Sequence, residues 1–344
     1  MNRVSVIQNF IIIASRSTRF TFLKAVNKYN NQRANSLMRY PLLVALIIMA
    51  SCGSMGKKAV NETPTRGNIR IVADESFQPL IAAEVYTFTH LYTGATIEPM
   101  YKPEYDVIND FMNDSVKVIV TSRKLSDYQI QSLRDTQIVA RTTTFAHDAI
   151  AIITHPGNQD TLLKYNTVRD IFLGKIKTWK DINQNSKLGD LSIIFDNRKS
   201  GNIRYFKELF NIKDSLSNNF FAVNSNEEVV NYVSRNPNSL GLISVNWISD
   251  RDDSTSMSFI RKVNVVAISQ QYINDGTFYR PHQGSIYEKS YPFVREIYLI
   301  SRETFSGLGS GFINWACGEL GQKIVLKSGL VPATMPIRLV QIKQ

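Results

Sequence analysis

From residue 69 onward, short apolar runs alternate with stretches of helical periodicity. The runs 69–73 (IRIVA), 96–100, 116–120 (VKVIV), 148–154 (DAIAIIT), 191–195 (LSIIF), 240–245 (LGLISV), 263–267 (VNVVA) and 294–300 (VREIYLI) predict strands. Apolar positions three and four apart predict helices over 77–92, 104–113, 126–134, 167–173, 201–210, 226–234 and 311–328. This alternation predicts α/β layers on largely parallel sheets. The polar segments 246–262 and 271–291 read as long surface connections. There is no internal repeat and no low-complexity block.

The first 66 residues follow a different pattern. MRYPLLVALIIMASCGS (38–54) places Arg39 before an apolar stretch from Pro41 to Ala50. Ten such residues are too few to span a bilayer, which needs about 20, but they fit the h-region of an export signal. Small residues then precede Cys52, and the stretch resembles the lipobox of bacterial lipoproteins, in which the cysteine is lipidated and becomes the amino terminus. The expectation is a signal peptide over 1–51, with Met38 as a candidate true start, and a lipidated tether over 52–66. GKKAVNETPTRGN (56–68), polar with Pro and Gly, fits such a tether.

Charge changes little once it is located. The chain of 344 residues has a net charge of +11. Seven of its cations lie in residues 1–51, which hold no Asp or Glu, and the remainder carries 33 cations against 29 anions. A nucleic-acid partner is therefore not expected. The two cysteines, Cys52 and Cys317, sit in unlike contexts, and Cys317 reads as a small buried apolar residue.

Three strand-to-helix junctions are alike. VADESFQPL (72–80) places Ser76 at a cap position, VTSRKLSD (120–127) carries Ser122 and Arg123, and DNRKSGN (196–202) carries Arg198, Ser200 and Gly201. A helix start offers unpaired N–H groups and a positive dipole end to an anion. It is equally the place for an ordinary N-cap serine. Open α/β sheets bind ligands past the carboxyl ends of their strands, so three such loops could surround one oxyanion.

Other chemistry is missing. His90, His147, His155 and His282 have no metal-ligand partner at helical spacing, and there is no HExxH or CxxC. GLGSG (307–311) fits neither a nucleophile elbow nor a dinucleotide loop, and reads as a flexible turn before a helix. Trp179 and Trp247 read as packing residues. The expectation is a protein that is not an enzyme, with no cofactor and no metal.

Over about 69–332 the chain resembles the substrate-binding proteins of ABC importers, in the branch of the periplasmic phosphate-binding proteins. ADESFQPL resembles the family's first ligand loop and VKVIVTSRKLSD its second. HDAIAIITHPGN resembles the strand into the second lobe. TVRDIFLGKIKTWKDI resembles Ile-Phe-x-Gly-x-Ile-x-x-Trp, and NRKSGNIRYF the Ser-Gly-Thr loop. RNPNSLGLISV, SYPFVREIYLI and FINWACGELGQKIVLKSGLVP resemble the later landmarks in order.

The resemblance implies an α/β, two-lobed type II periplasmic-binding-protein-like fold, with mixed, mostly parallel sheets, helices on both faces and a hinge between lobes. If the chain crosses near 143–150 and returns near 290–296, lobe 1 is 67–146 with 291–344 and lobe 2 is 147–290. Carried over, the oxyanion site is Ser76, Phe77, Ser122, Ser200, Gly201 and Asn202, with Arg123 and Arg198 beside it as guanidinium forks. Ser76 and Asn202 stand where threonine is usual, and three further positions depart from the pattern. Ser122 stands where an aspartate can occur, Glu104 where a serine is expected, and Asp196 where an arginine is expected. A carboxylate at 104 would repel a dianion unless paired with a cation or protonated.

The implied function is lipid-anchored capture of an oxyanion, phosphate first, on the periplasmic side of a bacterial cell envelope, for delivery by a monomer to an inner-membrane ABC permease. The alternative is a non-transport sensor or scaffold of an envelope complex, with an altered ligand site.

Overall fold

The computed structural model describes residues 62–336 except Asn274. The signal and lipobox residues, Cys52 among them, lie outside the described residues. The strands are β1 (Gly67–Asp74), β2 (Ala95–Lys102), β3 (Val118–Thr121), β4 (Arg141–Thr154), β5 (Leu162–Leu163), β6 (Ser192–Phe195), β7 (Phe220–Ala222), β8 (Ser239–Ser244), β9 (Asn264–Val265), β10 (Ala267–Ser269), β11 (Phe278–Tyr279), β12 (Val294–Ser301) and β13 (Val331–Pro332). The main sheet runs β2-β1-β3-β12-β4-β8-β6-β7, with β9 and β13 also on β4, and β11-β10-β5 form a small second sheet.

The expectation of largely parallel sheets holds in the two outer arms. β1 pairs parallel with β2 and β3, and β6 pairs parallel with β7 and β8. The centre is antiparallel, because β4 and β12 run in opposite directions there. From Arg141 to Ala149, β4 pairs with β12; from Ile150 to Thr154 it pairs with β8. One strand thus belongs to both halves of a two-lobed fold. Ala149 to Ile153 are fully buried and join a core that continues across that change of partner.

β4 starts seven residues before the predicted strand. Its first residues, Arg141–Thr144, are polar and partly exposed, so hydropathy misses them, although threonine is β-branched and suits a strand. The predicted helix 311–328 is two helices, Leu308–Ala316 and Glu319–Lys327. Their turn packs so tightly that a Cβ on Gly321 would lie 2.3 Å from the Ala316 carbonyl oxygen. GLGSG is not a loose turn: all but Gly307 is helical, and a Cβ on Gly311 would lie 1.8 Å from the Pro64 carbonyl oxygen. The polar stretches 246–262 and 271–291 are not plain connections either. They contain the helices Ser254–Lys262, capped by Asp253, and Gln283–Tyr287. Trp179 is a core residue, its Nε1 donating to the Asn238 carbonyl at 2.9 Å.

Candidate functional site

β1, β3 and β6 end in loops that face one another. After β1, the Asp74 carboxylate accepts from the Ser76 N–H at 3.0 Å and so caps the 3-10 turn Glu75–Phe77. Ser76 is therefore not the cap. Its hydroxyl is buried and has no partner among the described residues. After β6, the Ser200 hydroxyl caps the helix Gly201–Leu209 by accepting from the Asn202 N–H at 2.9 Å, and donates to Asp196 at 2.6 Å. Asn202 Nδ2 also donates to Asp196, at 3.0 Å. Gly201 is where the loops meet. A Cβ there would lie 2.7 Å from Asp74 Oδ2, 3.0 Å from Ser122 Oγ and 3.1 Å from Glu104 Cδ. Only a residue without a side chain lets the helix start come so near.

Glu104 opens the helix Glu104–Met112 and is buried. Its Oε1 accepts from the Ser122 hydroxyl at 2.6 Å, the Thr121 hydroxyl at 3.0 Å, the Ser122 N–H at 3.1 Å and Arg204 Nη2 at 3.2 Å. Arg204 Nε donates to Oε2, closing a two-pronged fork. Arg204 Nη2 also reaches Ser122 Oγ at 2.9 Å. Burial pushes the Glu104 carboxyl up, but Arg204 and Ser122 outweigh it and hold the group below its ordinary value. The other carboxylates nearby move the other way. Asp74 is raised well above its usual range by burial, then by the neighbouring Glu104. Asp196 is raised by burial, and Glu75 goes to about 7 by burial and the proximity of Asp196. The same surroundings thus favour the charged form of Glu104 and the neutral form of Asp74.

Arg295 on β12 supplies a second guanidinium. It is 5% exposed, its Nε donates to Asp148 at 2.9 Å, and it stacks 4.9 Å from the centre of the Phe77 ring. Its Nη1 and Nη2, with Ser76 Oγ, Asp74 Oδ2 and Asn202 Oδ1, are buried atoms without a partner among the described residues. Both donors and acceptors are thus left open. A recess of about 450 Å³ opens on this cluster at Glu104, Ser200 and Arg204, and Arg123, Arg198, Lys199, Lys207 and Glu208 line the rest of its charged wall.

Of the sequence-predicted residues, Ser76, Phe77, Ser122, Ser200, Gly201 and Asn202 come together, all buried. Arg123 is half-buried and Arg198 exposed, both on the outer recess. The fork that reaches the centre comes instead from Arg204, one helical turn after Ser200 and so on the same face. Asp74 and Arg295 were not singled out by the sequence. A lone arginine in the apolar run VREIYLI was the available signal for the second. Among the described residues, no cluster of His, Cys, Asp or Glu is placed to hold a metal ion, and no helix is long and apolar enough to cross a membrane.

Comparison with known proteins gives this arrangement a family. A profile described as the PBP superfamily domain matches residues 58–319. The phosphate-binding protein PstS of Borreliella burgdorferi is 25% identical over 238 residues, covering 65% of this chain and 75% of that protein. Among solved structures, a Clostridium perfringens protein of the phosphate ABC transporter substrate-binding type, with bound phosphate, superposes at a TM-score of 0.66 with 23% identity, covering 78% of this chain and all of that one. An ABC-type phosphate transport receptor of Vibrio cholerae superposes at 0.59 with 17% identity, covering 77% of this chain and all of its own. The superpositions give the two-lobed fold, and the profile match, over more than half of the chain, gives the relationship: this protein belongs to the PBP superfamily.

Proposed function

We propose that this protein captures a small oxyanion, phosphate first, between its two lobes, and hands it to an ABC-type importer. One observation carries the reading. A strand-end N–H, two hydroxyls and a guanidinium converge on a single anionic oxygen, that of Glu104. Such a cluster of donors stabilises an oxyanion and has little use for a neutral or cationic ligand. The phosphate-binding names of the similar proteins support phosphate as the first candidate.

In this reading the ligand takes hydrogen bonds from Ser122, Ser76 and the helix start at Ser200, Gly201 and Asn202. Phe77 walls the chamber, and Arg123 and Arg198 draw the anion into the outer recess. Arg204, partly buried, and Arg295, buried, add the guanidinium groups. Lobe 1 is taken as 67–146 with 291–344 and lobe 2 as 147–290, the hinge lying where β4 changes partner. Cys52 carries the lipid that ties the protein to the periplasmic side of a membrane, beside its permease. Fatty-acid labelling of cells tests the anchor, since Cys52→Ala should lose the label.

Calorimetric titration with phosphate, sulfate and molybdate tests the ligand. Saturable one-to-one binding of phosphate is expected, and binding of none of the three would remove the oxyanion reading. A non-transport role in the envelope is favoured by one observation, that a carboxylate of the protein itself stands in the donor cluster. Unchanged phosphate uptake in cells lacking the protein would support that role.

A further inference from the structure

We propose that Glu104 is the built-in occupant of the oxyanion cradle: its carboxylate stands where the external ligand binds, and by joining Arg204 it holds the ligand-free cleft closed. The proposal rests on reading the cleft as an oxyanion site.

An ion pair explains only the contact with Arg204. It does not explain why the Ser122 N–H, the Ser122 hydroxyl and the Thr121 hydroxyl all point at the same carboxylate oxygen. Those three donors come from the carboxyl end of β3, where an α/β sheet receives a ligand. A carboxylate oxygen has the charge and the hydrogen-bonding capacity of a phosphate oxygen, so it can take that place. Gly201 completes the enclosure, 3.1 Å separating its would-be Cβ from the Glu104 carboxyl carbon.

The same contact joins the two lobes. Glu104 belongs to the segment after β2 and Arg204 to the helix after β6. Around them, Lys199 Nζ reaches Asp106 at 2.8 Å, the Tyr105 N–H donates to the Lys199 carbonyl at 3.2 Å, and Asn226 donates to Glu75. In a hinged binding protein an external ligand brings such groups together, because it binds the closed state better than the open one. Here Glu104 supplies that preference from within the chain. An incoming oxyanion has to displace it, so Glu104 lowers affinity and selects ligands able to compete with a tethered carboxylate.

The experiment is small-angle scattering of the ligand-free parent, Glu104→Ser and Glu104→Gln proteins, with phosphate calorimetry on each. The parent should be compact without ligand and unchanged by phosphate. Glu104→Ser should be expanded without ligand, contract with phosphate, and bind it roughly tenfold tighter or more, as the loss of an internal competitor requires. Glu104→Gln keeps the side-chain shape without the charge and should expand as well; if Glu104→Ser does not fold, this variant decides by the same readings. Identical ligand-free scattering of parent and variants overturns the proposal, as does a parent that contracts on phosphate as far as Glu104→Ser. If the variants expand but neither parent nor variants bind phosphate, the built-in occupant stands and phosphate is the wrong ligand. If the parent binds phosphate as tightly as the variants, phosphate stands and the built-in occupant falls.

Discussion

Arg295 on β12 and Asp148 on β4 face each other in register, and Nε meets Oδ2 at 2.9 Å with both side chains almost wholly buried. The pair sits one residue before β4 trades β12 for β8. The Ser244 hydroxyl on β8 donates to the other Asp148 oxygen at 2.9 Å, so one carboxylate ties together the three central strands. Removing one partner of a buried pair leaves an uncompensated charge, which costs about 3–5 kcal/mol. Asp148→Ala should destabilise the protein by that amount in urea denaturation. A loss below about 1 kcal/mol would mean that the strands hold the crossing without the pair.

Stability should fall as pH rises from mildly acid to alkaline values. Glu84 is fully buried on the helix Gln78–Leu91, with no partner for either carboxyl oxygen among the described residues. Burial pushes its pKa from 4.5 up to about 9. A raised acid stabilises the fold fully below its unfolded value, and that contribution is lost as pH climbs towards the folded one. Between roughly pH 5 and 9 the loss amounts to about 1.4 kcal/mol per pH unit for this group. Glu84→Gln should flatten the slope and raise stability at pH 8. Denaturation midpoints across that range check it, and an unchanged slope would exclude Glu84 as the source.

Much of the fold was legible because its elements are strongly patterned. Fully buried runs such as Val118–Thr121, and amphipathic helices such as Gly201–Leu209, carry periodicities that few other arrangements share. The elements missed are those whose burial is decided from outside the segment. Asn246 and Trp247 lie in a polar stretch, yet they are buried, and both side chains donate to the Ser76 carbonyl in the turn after β1. The three strand-end loops were legible as loops, but their convergence was not. It depends on β6 running opposite to β1 and β3 in one sheet, so that their carboxyl ends meet. Glu104 could be recognised as out of place, with a cation or a proton required. That Arg204 would supply the cation depends on the helix after β6 meeting the segment after β2, which no local pattern records.

Gly201 is the most sensitive position in the cleft. Gly201→Val would drive side-chain carbons into Asp74, Ser122 and Glu104, so the helix start could not approach. Each charge-assisted hydrogen bond lost costs about 1.5–3 kcal/mol, or a factor of roughly 10 to 150 in affinity. Ser200→Ala should cost less, because the backbone donors stay, and Arg198→Ala least, because that side chain is exposed. Calorimetry on the three variants gives the order. Parent-like binding by folded Gly201→Val would place the ligand elsewhere.

The central claim is that the donors now gathered on Glu104 form the binding site of an external oxyanion. A crystal structure of the protein grown with saturating phosphate tests it most directly. The account predicts a tetrahedral anion within hydrogen-bond distance of the Ser122 N–H and hydroxyl and of Arg204, with the Glu104 carboxylate displaced from them. Phosphate bound outside the cleft, or a cleft in which Glu104 still holds all of these donors at saturation, would contradict it.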